Sequence, residues 1–146
     1  MDYKRAENEV KKIVKNSFNI LQDVVDFLCD NISHYSWVGI YVVEGENLVL
    51  GPWKGPNATE HTKIPIGQGV CGAAAESGKT EVVDDVHSDG RYLACFVTTK
   101  SEIVVPIKKD GKIIGEIDID SDKNAAFAKE DSMFLERVAD MISPFL

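Results

Sequence analysis

Along the first thirty or so positions, apolar residues recur at helical spacing: Val10, Ile13, Val14, Ile20, Leu21, Val24, Val25 and Leu28, with Lys, Asp and Glu between them. No Pro or Gly interrupts the pattern, which predicts one long helix over residues 4–33, ended by the polar segment NISHYS. The period then changes. SWVGIYVV and NLVLGPW read as β-strands joined by EGEN, a short Gly-containing hairpin connection. Residues 54–68, KGPNATEHTKIPIGQ, hold Pro and polar turn formers and read as a long exposed loop. GVCGAAAESGK predicts a short helix that stops at Gly78 in a left-handed cap. TEVVDDV reads as a short strand and HSDGRYLACFVTTK as a second long loop, a feature often tied to function. In EIVVPIKKDGKIIGEIDID two strands flank Asp110-Gly111, a dipeptide that favours a type I′ turn. EDSMFLERVADMISPFL returns to the helical period through Phe134, Leu135, Val138 and Ile142, and Pro144 ends it.

This order predicts an α+β fold over residues 1–146, taken as a single domain. Its central antiparallel sheet carries the N- and C-terminal helices on one face. The two long loops cover the other face and leave a small-ligand pocket against the sheet.

Charge narrows the partners. A net charge of −8 argues against a nucleic-acid backbone or an anionic membrane surface. No apolar run is long enough to cross a bilayer. The N-terminus, MDYKRAENEVKKIVK, lacks a signal peptide's apolar stretch, so a cytoplasmic location is expected. Three cysteines in that reducing compartment read as metal-binding, catalytic or buried, not as structural staples.

The chemistry concentrates in a few places. In GEIDIDS alternation sends Ile117 and Ile119 to one face, with Ile113 and Gly115, and Glu116, Asp118 and Asp120 to the other, with Ile114. On pattern alone the carboxylate face reads as a solvated outer surface. The alternative is an acidic pocket wall, where crowded carboxylates hold a proton and one can act as an acid. Cys71 sits between glycines in GQGVCG, either as a small apolar residue or as a reactive thiol. Cys95, in the second long loop, is an unusual setting for a packing cysteine. Cys29 lies in the apolar stripe and reads as core. The cysteines and His34, His61 and His87 form no zinc knuckle, so no metal is expected. His87 reads as a loop residue. No phosphate loop, dinucleotide fingerprint or hydrolase elbow occurs, and no cofactor is expected.

Taken in order, SWVGIY, LVLGP, IPIGQGVCG, DDVHSDGRYLAC, SEIVVPI and GEIDIDS resemble the free methionine-(R)-sulfoxide reductases, a family of single GAF domains. The resemblance runs from about Trp37 to Ser121. It implies a GAF fold and reduction of the R epimer of free methionine sulfoxide. By position it makes Cys95 the nucleophile, with Glu102 and Asp120 holding the sulfoxide and supplying a proton. It sets Asp118 and Asp85 near the substrate's amino group, Trp37 and Tyr41 around its methylthio end, and Cys71 as a second cysteine. Family members commonly carry a further, resolving cysteine ahead of IP. Here that loop is GPNATEHTKIP, with His61 nearest and no cysteine. Phe96 also stands where the family often has an acidic or polar residue. The resemblance then implies a Cys71–Cys95 disulfide, or an external resolving thiol, with thioredoxin or a similar dithiol as reductant. Paired terminal helices suit a homodimer. The rival reading is a non-catalytic GAF module that binds a small ligand or senses redox state.

Overall fold

In the computed structural model, which describes residues 1–91, 96 and 98–146, the first helical pattern forms two helices, α1 (Tyr3–Asn16) and α2 (Ile20–Asn31). The break at residues 17–19 has a local cause. Ser17 Oγ accepts from the Asn19 backbone N at 2.9 Å and donates to Asp23 at 2.5 Å, so its hydroxyl competes with helical bonding. The turn leaves Phe18 fully exposed and lets the two helices pack on different neighbours, α1 on α4 (Lys129–Ile142) and α2 on the sheet.

The sheet consists of β1 (Trp37–Glu44), β2 (Asn47–Lys54), β3 (Lys63–Pro65), β4 (Glu81–Val83), β5 (Ser101–Lys109) and β6 (Lys112–Ser121), with α3 (Gly69–Ser77) between β3 and β4. The strand order is β3-β2-β1-β6-β5-β4 and the pairings are antiparallel. At the β5–β6 hairpin Asp110 and Gly111 have φ of 54° and 75°, the left-handed pair that a type I′ turn requires. Gly78 caps α3 with φ 71°, as its sequence suggests.

Two further departures from the pattern matter. Residues 63–65 lie inside the stretch read as a loop, yet they form a short edge strand whose Pro65 suits an edge. In β6, Ile107 faces Gly115 while Lys108 faces Ile113, so Ile114 is an extra, bulged residue. The bulge breaks the alternation. Ile114 packs with the helix-side core, whereas Ile113 approaches Gly78.

The sheet divides the interior. On one face Val38, Ile40, Ile103, Val105, Ile117 and Ile119 meet α1, α2 and α4, and Cys29 packs there half-buried. On the other, Tyr41, Leu48 and Val104 meet Ile64, Val83, Val86 and α3 residues Val70, Cys71, Ala74 and Ala75. The helix layer is tied together at Asp131, the third residue of α4. Its carboxylate accepts from the Tyr3 hydroxyl, the Tyr35 hydroxyl (2.8 Å) and the Ala128 backbone N (2.8 Å), and His34 Nε2 lies 2.8 Å away. No helix among the described residues is long and apolar enough to span a membrane.

Candidate active site

Strand register builds the site. Trp37, Gly39 and Tyr41 on β1 stand opposite Asp120, Asp118 and Glu116 on β6. Those in turn stand opposite Glu102, Val104 and Pro106 on β5. Cross-strand partners place their Cβ atoms about 4.5–5.5 Å apart, so the grid brings four carboxyl groups together beneath α3. All four are buried: Glu116 is 0 %, Asp120 2 %, Asp118 3 % and Glu102 5 % exposed. The solvated-face reading of GEIDIDS is therefore wrong. Alternation reports two unlike faces, and α3 covers the one that carries the acids.

Burial sets the electrostatics. Loss of water pushes Glu116 and Asp120 well above the usual carboxylate range, and the charge on Asp118 adds to the shift in both. Burial raises Asp118 as well, but Glu102 and Cys71, within hydrogen-bonding reach, pull it back. Burial thus favours the protonated form of Glu116, Asp118 and Asp120, and the group titrates as a unit. Glu102 reaches both Asp118 and Asp120, and Thr99 Oγ1 makes a long contact of 3.5 Å with Asp120 Oδ2. The Cys71 thiol is pushed well up, first by burial and then by Asp118, Glu116 and Glu102. Both oxygens of Glu116 and one oxygen each of Asp118 and Asp120 have no hydrogen-bond partner among the described residues. These are buried polar atoms that a ligand would satisfy.

An aromatic wall adjoins the acids. The Trp37 indole stacks on Trp53, with centroids 6.1 Å apart and planes 15° apart, and Phe96 tilts against it at 5.8 Å. Gly39 and Gly55 make room for the ring: a Cβ on either would fall 2.2–2.3 Å from its carbons. Tyr41 donates its hydroxyl to the His61 carbonyl at 2.7 Å, which fastens the β2–β3 loop to the floor of the site.

The structure thus brings together Cys71, Glu102, Asp118 and Asp120, with Trp37 and Tyr41 on the same face. Asp85 stands apart. It is exposed, and its carboxylate caps the 3-10 turn Val86–Ser88 by accepting from the His87 backbone N and the Ser88 hydroxyl. Cys95 lies outside the described residues. Neither Glu116 nor Trp53 receives a role of its own from the sequence. Glu116 was visible in the GEIDIDS alternation; Trp53 shows itself only through its register with Gly39. A surface cleft of about 520 Å³ between α3, β5 and α4, lined by Lys79, Pro106, Lys108 and Glu136, shares none of these residues. Ligand atoms of Cys71, Glu102 and Asp118 lie within 4.8 Å of one another, a convergence that a search for sequence-adjacent metal ligands does not see.

Residues 19–144 match the GAF domain family. The free methionine-R-sulfoxide reductase of Escherichia coli is 35 % identical over 119 residues, which cover 82 % of this chain and 71 % of that protein. The solved structure of the Neisseria meningitidis free methionine-R-sulfoxide reductase in complex with its substrate superposes with a TM-score of 0.90 at 35 % identity, covering 97 % of this chain and 86 % of that one. That of the type II enzyme from Thermoplasma acidophilum superposes with a TM-score of 0.84 at 42 % identity, covering 90 % and 93 %.

Proposed function

The chain belongs to the free methionine-(R)-sulfoxide reductases, oxidoreductases built on the GAF domain, and we propose that it reduces free L-methionine-(R)-sulfoxide to methionine by thiol chemistry. The observation that carries this reading is the convergence of buried carboxyl groups and a thiol beside an indole.

In this reading the Cys95 sulfur attacks the sulfoxide sulfur. A neutral acid must protonate the sulfoxide oxygen as its bond to sulfur weakens, and the raised Asp120, backed by Glu102, suits that task. The oxygen passes to Cys95 as a sulfenic acid and methionine leaves with both electrons. Cys71 then attacks the sulfenic sulfur, a disulfide forms and water departs. Burial favours the Cys71 thiol, so its proton leaves during attack and goes into the departing water, with the neighbouring carboxyl of Asp118 placed to relay it. A thioredoxin-type dithiol returns both cysteines to thiols by exchange.

The remaining assignments follow charge. Asp118, a buried carboxyl group, suits the substrate's ammonium group. The role of Asp85 there rests on the resemblance alone. The indole of Trp37 offers an apolar surface to the methylthio group. A closed chamber favours the free amino acid over a methionine within a polypeptide. All 146 residues serve this reading as one GAF domain, and a homodimer through the terminal helices is compatible with it.

Racemic methionine sulfoxide incubated with dithiothreitol tests the activity. Methionine release stopping near half of the racemate is expected. No release replaces the enzyme with a ligand-binding or redox-sensing module. Cys95→Ser should abolish turnover. Cys71→Ser should release one methionine per chain and then stall with thioredoxin; normal cycling would remove Cys71 from the resolving role.

A further inference from the structure

Buried carboxyl groups and a thiol crowd one face of the sheet. Neither Lys nor Arg pairs with Glu116, Asp118 or Asp120 among the described residues. Thiols and carboxylates gathered in this way are metal ligands.

The donor atoms are already gathered. Cys71 comes from the first turn of α3, Glu102 from β5 and Asp118 from β6, and their ligand atoms lie within 4.8 Å of one another. Around one tetrahedral zinc ion, with bonds of about 2.3 Å to sulfur and about 2.0–2.2 Å to oxygen, ligand atoms sit about 3.3–3.7 Å apart. Side-chain rotations of about an ångström would close a group whose atoms already lie within 4.8 Å. A second observation points to a ligand: Asp118 Oδ1, Asp120 Oδ1 and both Glu116 oxygens are buried without partners and belong to the same face. They offer a fourth bond or an outer ring of acceptors. One soft sulfur among hard oxygens selects a borderline ion such as zinc over magnesium or calcium, which take oxygen alone.

We propose that Cys71, Glu102 and Asp118 form a zinc-binding site. On binding, the thiol and any neutral carboxyl ligand release their protons to solvent, and the sulfur bonds to the metal without change of oxidation state. The binding stands independently of the sulfoxide reading. One consequence rests on that reading: zinc and methionine sulfoxide exclude each other, because the metal occupies the thiol and acids that the reaction uses.

The test is titration of the fully reduced protein with zinc against a chromophoric chelator, and with cobalt as a spectroscopic stand-in. One tight equivalent of zinc is expected, together with a thiolate-to-cobalt charge-transfer band. Cys71→Ser should remove the band, and Cys71→Ser and Asp118→Asn should each weaken zinc by more than about 100-fold, beyond the usual effect of losing an outer-ring partner. Cys29→Ser should change neither. Absence of the band from the wild-type protein overturns the proposal without recourse to any variant. So does a band that persists in Cys71→Ser, or tight zinc that survives it. Zinc bound as expected but without competition from methionine sulfoxide would leave the metal site standing and sink the substrate's assignment to this chamber.

Discussion

Asp131 shows how one side chain can be read in two ways. In sequence it is an acidic residue in the first turn of a helix, which suits the helix dipole. In the structure it is a buried anion with donors from α1, from the approach to β1 and from its own helix. Burial by itself would raise its pKa. The hydrogen bonds from His34, Tyr3, Ala128 and Tyr35 outweigh that and hold it at about 2. The depression from 3.8 corresponds to about 2 kcal/mol of stability by proton linkage. The folded value lies below the unfolded one. This contribution is therefore complete above the ordinary carboxylate range and is lost as pH falls toward 2. Asp131→Asn should cost about 2 kcal/mol at neutral pH and flatten the acid limb of a urea-unfolding series. An unchanged acid limb would assign that limb to other carboxylates. The carboxylates of GEIDIDS carry the complementary lesson. Their shared face was legible from alternation, but their burial was not, because α3, which lies well upstream at Gly69–Ser77, provides the cover.

Strong periodicity was easily read at the scale of elements: the hairpins, α3 with its glycine cap, and the last helix all stand where the pattern puts them. The misses are places where local chemistry or a partner strand overrules period. Ser17 breaks the first helix through its hydroxyl, which accepts from the Asn19 backbone N and donates to Asp23, with no Pro or Gly to announce it. β3 is three residues long with a single buried apolar residue, Ile64, so it has no periodicity to detect and exists by pairing with Asn47, Leu48 and Val49. That pairing positions the residues against which α3 sits. Gly72 makes the closest approach: a Cβ there would lie 2.7 Å from the Pro65 carbonyl oxygen and 2.9 Å from the Gly67 nitrogen. Both are backbone atoms that cannot swing away. Gly72→Ala should destabilise the protein by about 1–3 kcal/mol despite alanine's better helix propensity, as judged by the urea midpoint. A gain in stability would show that α3 can lift off β3 at no cost.

For the molecule as a whole, the sheet separates an ordinary apolar core from a chamber of buried acids whose protonated forms burial favours. Glu116, Asp118 and Asp120 all have folded-state pKa values above their unfolded ones. Their contribution to stability is complete below the unfolded range, about pH 4, and declines as pH rises through the folded values. Stability should therefore fall as pH rises from about 4 toward the folded values. Glu116→Gln keeps the shape and cannot ionise, so its urea midpoint should exceed that of the wild-type protein at pH 8 and match it at pH 4. A variant weaker at both values would show that the carboxyl proton makes a bond the amide cannot replace. The GAF architecture was legible from the ordered motifs, whereas this division of charge emerged only from register and cover.

Both tryptophans of the chain, Trp37 and Trp53, are stacked on each other at the edge of this chamber, and there is no third. Intrinsic indole emission from the unlabelled protein therefore reports on one corner alone. A ligand that slides against Trp37, or a loop that shifts over it, announces itself optically without a dye, an introduced reporter or a coupled assay.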